Sequence, residues 1–266
     1  MVTSRLELIG GGPGTLRLLR RHLMAMLPAP PVGAKPIVAY VGAASGDDAG
    51  FLRMIASEIE RTGYRVVPVR LASPKASLKA AEAVLDDCDV VFVSGGDVQL
   101  GMQVLADRGA LPLFEALGRE GRPMIGLSAG SIMLAKAWVR FPEDRDPGAS
   151  PSLFPCLGMA PFFVDAHDEE GGWGELRAAL RLVAMSGEPS AAGYGLTTGG
   201  GISVEPWGKR DAEGAKAVKV VPFGTAAPRW VTLGGKVVTR RPLALGRSEM
   251  VEAPNPRPPR RRAQRS

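Results

Sequence analysis

Read for hydrophobic and polar positions, the first half of the chain is a series of short apolar runs. They are separated by stretches in which apolar residues recur at spacings of three and four. The runs at 6–9, 37–41, 65–69, 90–93 and 123–127 are rich in Val, Ile and Leu and predict strands. The stretches at 15–27, 51–61, 77–85 and 111–119 predict helices that each bury one face. This alternation predicts an α/β fold: a three-layer sandwich with a mostly parallel central sheet covered on both faces. The second half is less regular. Strands are expected at 162–164, 201–204, 217–221 and 230–233, and a helix at 173–185, with Gly and Pro between them. The sheet is therefore expected to finish in shorter, partly antiparallel strands toward the C-terminus.

Composition changes this picture in a few places. With 266 residues, 45% hydrophobic and 23% charged, disordered, collagen-like and coiled-coil readings fall away. No linker divides the middle of the chain, so a single α/β domain is expected over 1–250, followed by a disordered Pro/Arg-rich tail over 251–266. The net charge is +6, but five arginines fall within 255–266 and leave +1 for the rest. Arginines without interleaved aromatics read as a solvated terminus, and no specific nucleic-acid partner is expected. No apolar run reaches the roughly 18 to 20 residues of a membrane helix, and a signal-peptide core is lacking at the start. The expected setting is cytoplasmic, without a membrane partner. Cys88 and Cys156 sit in apolar surroundings and read as buried thiols rather than a disulfide framework.

The most informative stretch is Gly126-Leu127-Ser128-Ala129-Gly130-Ser131, between an apolar strand and a helix-like segment. A G-x-S-x-G sequence in that context places the serine hydroxyl at a sharp turn, with helix N-terminal amides where an oxyanion would form. A serine nucleophile needs a base, and there are two histidines. His22 lies in a basic helical stretch and reads as solvated. His167 follows Phe162-Phe163-Val164-Asp165 at the carboxyl end of a strand, where open α/β sheets place their sites. The 39 residues separating it from Ser128 suit the next strand of the same sheet. A second glycine turn, Gly95-Gly96-Asp97, ends the strand before the one carrying Ser128. The Gly96 amide is thus placed to complete an oxyanion hole with Ala129, while Asp97 caps the helix that follows.

Taken in order, Gly95-Gly96-Asp97, Gly126 to Ser131 and Leu157 to His167 resemble the dipeptidase E and cyanophycinase-type serine peptidases. That family is built on a class I glutamine amidotransferase-like, flavodoxin-like fold. The resemblance implies Ser128 as nucleophile, His167 as general base, and Gly96 and Ala129 as oxyanion donors. It further implies hydrolysis of a peptide or isopeptide bond next to an acidic residue, without metal or cofactor. A small peptide is then the expected partner, and self-association into a homo-oligomer stays open. Cyanophycinase-like members carry a glutamate after the histidine, where Gly195 to Gly199 here presents Thr198. Dipeptidase E uses an aspartate between serine and histidine, for which Glu143 and Asp144 are the nearest equivalents, Glu143 being taken as the acid. Asp165, Asp168, Glu169 and Glu170 flank His167 and are further candidates to orient it. An acidic substrate needs a cation, and Arg140, Arg145 and Arg177 are the candidates.

Other readings fare less well. An α/β-hydrolase places its histidine late in the chain, and none follows His167. Ser128 stands where an amidotransferase has cysteine. The glycines of 10–14 fail the dinucleotide spacing and read as a turn into the first helix. His167 with its acidic neighbours lacks the two-histidine pattern of a zinc site. Trp173 suits either the site's edge or the core. The rival to a peptidase is a binding protein that keeps the scaffold without the acid; a structure with no carboxylate at the free His167 nitrogen favours it.

Overall fold

The computed structural model describes residues 4–26, 35–142, 150–187, 190–211 and 214–252. Its first half alternates as expected: β1 (Leu6–Ile9), α1 (Thr15–Met26), β2 (Ile37–Val41), α2 (Ala49–Glu60), β3 (Arg65–Val69), α3 (Leu78–Asp86) and β4 (Val90–Val93). Next come α4 (Val98–Asp107), α5 (Leu111–Glu120), β5 (Met124–Leu127) and the short α6 (Ala129–Leu134). The strands β1, β5, β4, β2 and β3 are parallel neighbours in that order.

Period-two alternation sorts these strands' side chains into two cores. On β4, Val90 and Phe92 join α1 and α2 residues Leu19, Leu23, Ile55 and Ile59. Val91 and Val93 face the other way, against Leu85, Leu105, Phe114 and Met133 of α3 to α6. Burial on both faces explains why β4 reads Val-Val-Phe-Val without polar interruption. Short polar side chains start the helices: Asp48, Ser77 and Asp97 accept from backbone N–H groups three residues on.

The second half departs from expectation in length and pairing. It comprises β6 (Ala137–Arg140), β7 (Ser152–Pro155), β8 (Phe163–Ala166), α7 (Gly174–Met185), β9 (Ala192–Leu196), β10 (Gly201–Asp211), β11 (Gly214–Phe223), β12 (Ala227–Leu233), β13 (Lys236–Leu243) and β14 (Glu249–Glu252). The antiparallel strands are present, since β10, β11 and β14 extend the main sheet beyond β1. They are not all shorter: β10 and β11 run 11 and 10 residues, against four or five in the parallel strands. A hairpin can outgrow the layers because each strand satisfies the other's backbone.

β8 is not the next strand of the main sheet, as the spacing suggested. It belongs to a second sheet, ordered β13-β12-β9-β8, in which it pairs with β9 in parallel. This sheet and α7 enclose a third core of Phe163, Leu176, Leu180, Val183 and Trp230. Val251 and Glu252, placed in the tail by composition, pair with Val218 and Ala217 in the main sheet. The remainder of the expected tail, from residue 253, lies outside the described residues.

Candidate active site

β1, β4, β5 and β8 end on one side of the molecule, and the residues after them meet there. β5 runs directly into α6 through Ser128, whose φ of 51° and ψ of −116° lie in strained territory for a residue with a side chain. Two bonds to the end of β1 hold the turn: Ser128 N–H donates to the Ile9 carbonyl at 2.8 Å and the Ser131 hydroxyl donates to the same oxygen at 2.9 Å. Small residues are needed for the turn to fit. A Cβ on Gly130 would stand 2.1 Å from the Val93 carbonyl oxygen, so only glycine lets α6 pass this close to β4.

His167 follows β8 with φ of 45° and is anchored through its N–H to the Leu196 carbonyl at 2.8 Å. Its Nε2 lies 2.8 Å from the Ser128 hydroxyl oxygen. The two residues singled out in sequence are therefore brought together, from different sheets. Gly95 and Gly96 follow β4, next to β5, and line the same cavity. Neither the Gly96 nor the Ala129 N–H has an acceptor among the described residues.

The glycine run after β1 does more than turn the chain. With φ of 126°, Gly11 packs against the pair; a Cβ there would lie 3.1 Å from His167 Cδ2 and 3.6 Å from Ser128 Cβ. Sequence reading missed this contact, and the available clue was that β1 is a central strand whose carboxyl end lies beside that of β5.

The carboxylates around His167 separate by what they bind. Asp165 is buried, accepts from the N–H groups of Ala166 and Leu176, and is pushed up to about 6 by burial. Asp168 accepts from Gly174 N–H at 2.9 Å. Glu169 has an electrostatic interaction with His167. It accepts from the Thr198 N–H. Partial burial pushes the Glu169 carboxyl up, but hydrogen bonds from the Thr198 backbone and hydroxyl, with His167 nearby, bring it below the usual carboxylate range. Thr198 thus holds a carboxylate supplied by another loop. Among the described residues no carboxylate oxygen lies within hydrogen-bond distance of a His167 nitrogen. Glu143, Asp144 and Arg145 lie outside the described residues.

Several expected placements change. His22 is buried, 8% exposed, with Nδ1 2.9 Å from Glu7 Oε2, rather than solvated. Arg140 lies over the Phe154 ring, and Arg177 lines a separate cleft beside Trp230; neither reaches the Ser128 cavity. Trp173 is buried against Trp230, with ring centroids 6.2 Å apart, and anchors α7 in the core.

A serine hydroxyl in contact with a histidine, at a strained turn beside unengaged amides on an α/β scaffold, is an arrangement that acyl transfer can use. Comparison narrows this further: the sequence model of peptidase family S51 matches residues 7–205, and the chain belongs to that family. Peptidase E of Streptomyces coelicolor is 33% identical over 162 residues, 57% of this chain and 63% of that one. Peptidase E of Shewanella denitrificans is 26% identical over 150 residues, 54% of this chain and 60% of that one. The alignments thus span less than two thirds of either relative. A crystal structure of a peptidase from an acI-B1 Actinobacterium superposes with a TM-score of 0.63 at 18% identity, covering 94% of this chain and 97% of that one, which supports the fold. No helix among the described residues is long and apolar enough to cross a membrane.

Proposed function

We propose that this chain hydrolyses small peptides through a Ser128–His167 pair. The observation that carries the reading is the 2.8 Å contact between the Ser128 hydroxyl and His167 Nε2 at the floor of a cavity. His167 takes the Ser128 proton as Oγ attacks the scissile carbonyl carbon, and the oxyanion is received by the N–H groups of Gly96 and Ala129. The imidazolium returns the proton to the leaving amine, and water then resolves the acyl-enzyme by the same route. Glu169, held by Thr198, supplies the negative charge that favours the imidazolium. A cytoplasmic setting fits two unpaired thiols, Cys88 and Cys156, which burial pushes up to about 11 and about 12.

The acidic preference implied by the resemblance needs a cation at the cavity. Among the described lining residues there is no lysine or arginine, and Arg145, a candidate from the sequence, lies outside the described residues.

One observation favours the second reading, a binding protein on the same scaffold: no carboxylate among the described residues bonds the free His167 nitrogen. Fluorophosphonate labelling decides between them. A peptidase is modified at Ser128, and labelling is lost in Ser128→Ala and His167→Ala. A folded chain that stays unlabelled removes the peptidase reading and favours the binding one.

A further inference from the structure

The turn after β4 is held unevenly, and the difference singles out one buried side chain. Resting on the peptidase reading above, we infer that Ser94 is a positioning residue: its hydroxyl fixes the Gly95–Gly96 peptide so that the Gly96 N–H faces the cavity over Ser128. β4 is apolar throughout, Val90-Val91-Phe92-Val93, and the next residue, Ser94, is polar yet fully buried. A hydroxyl in that position must find its partner within the protein. It donates to the Gly95 carbonyl at 3.2 Å, and the Ser45 hydroxyl lies 3.5 Å from it.

The backbone before and after this peptide is held by main-chain bonds. Ser94 N–H donates to the Val41 carbonyl at 3.0 Å, and Asp97 N–H donates to the Ala44 carbonyl at 2.8 Å. Between them, no backbone N–H among the described residues reaches the Gly95 carbonyl, and the Gly96 N–H has no acceptor there. The C=O of Gly95 and the N–H of Gly96 belong to one planar trans peptide and point in opposite directions, so holding the oxygen aims the N–H. Such a hold is needed, since a peptide between two glycines turns over at little steric cost. Glycine is nonetheless required at 96, where φ is 140° and a Cβ would stand 2.0 Å from the Ala44 carbonyl oxygen. The turn also adjoins the nucleophile: a Cβ on Gly95 would lie 3.5 Å from Ser128 Cβ.

Fluorophosphonate labelling reads this orientation, because the phosphoryl oxygen takes the place of the oxyanion as Ser128 Oγ bonds phosphorus and fluoride leaves. Ser94→Ala is expected to slow labelling per folded molecule about five- to tenfold, the scale of one hydrogen bond and short of the roughly hundredfold loss that follows removal of an oxyanion donor. The midpoint of the pH profile should not move, since His167 is untouched. Ser94→Thr keeps the hydroxyl and should stay within about threefold of the unaltered protein. Ser94→Cys, a weak donor of similar size, should also be slow, and it carries the comparison if thermal melting shows Ser94→Ala to be unfolded. A rate in Ser94→Ala within about twofold of the unaltered protein overturns the inference. So does a shifted pH midpoint, which would place the effect on His167, or Ser94→Thr as slow as Ser94→Ala, which would make the role one of packing. An unaltered, folded chain that takes no label removes instead the peptidase reading on which the inference rests.

Discussion

At the residue scale, the chemistry rests on how side chains from distant parts of the chain complete one another. Ser128 and His167 were legible because the first sits in a motif whose small flanking residues only make sense at a tight turn, and because few histidines compete for the role of base. Glu169 was one of four indistinguishable acids in sequence. The fold separates them: Asp165 and Asp168 are engaged by backbone N–H groups of their own loop and of α7, while Glu169 is held by Thr198 and interacts electrostatically with His167. Because Glu169 is exposed and not in contact with the imidazole, its effect is screened. Glu169→Gln is expected to slow fluorophosphonate labelling of Ser128 about three- to tenfold, far less than loss of a bonded triad acid, and less at high salt. Its lowered pKa keeps the carboxylate ionised further into acid than usual, so the gap between the two proteins should persist below pH 5. An equal rate in both proteins at low salt would leave His167 without an electrostatic partner in Glu169.

At the element scale, β8, α7 and the loop between them form one joint, and Asp165 is its pin. The side chain sits at the end of β8 and accepts the Leu176 N–H from the first turn of α7. Burial raises its pKa to about 6, with Glu175 and Asp168 adding to the effect. The folded protein therefore holds a proton here between the ordinary carboxyl range and about pH 6, where the unfolded chain has released it. Stability from this group is complete below the unfolded pKa and is lost as pH rises through about 6. A shift of this size corresponds to at most about 3 kcal/mol. Urea unfolding at pH 4 and pH 7 should show a smaller decline for Asp165→Asn than for the unaltered protein; identical declines would mean that Asp165 titrates normally. Helix and strand positions in the first half were legible from periodicity, but the membership of β8 in a second sheet was not, since pairing depends on which edges remain open after the main sheet closes.

At the scale of the whole molecule, a buried polar cluster ties three elements together. Glu7 on β1 is fully buried and meets Arg5, His22 of α1 and Ser203 of β10. A carboxylate inside a sheet persists only with partners, and this explains why His22 turns inward from a helix otherwise rich in arginine. Removing it in His22→Ala is expected to cost about 3 kcal/mol in urea unfolding, while Ser128 in the folded fraction labels at the usual rate. A cost below about 0.5 kcal/mol, the scale of a surface change, would show that Glu7 does not depend on His22. The scarcity of histidines singled out His167 as the candidate partner of Ser128, and the sequence by itself determined the alternation of strands and helices and the sharp serine turn. These follow from short-range sterics and from the period with which apolar residues must face a core. Only the tertiary structure decided that Glu169 interacts with His167, that Gly11 packs on the imidazole, and that His22 is buried. Each of these depends on residues far apart in the chain becoming neighbours, and that is set by the order of strands, β14-β11-β10-β1-β5-β4-β2-β3, and by a second sheet that no local pattern encodes.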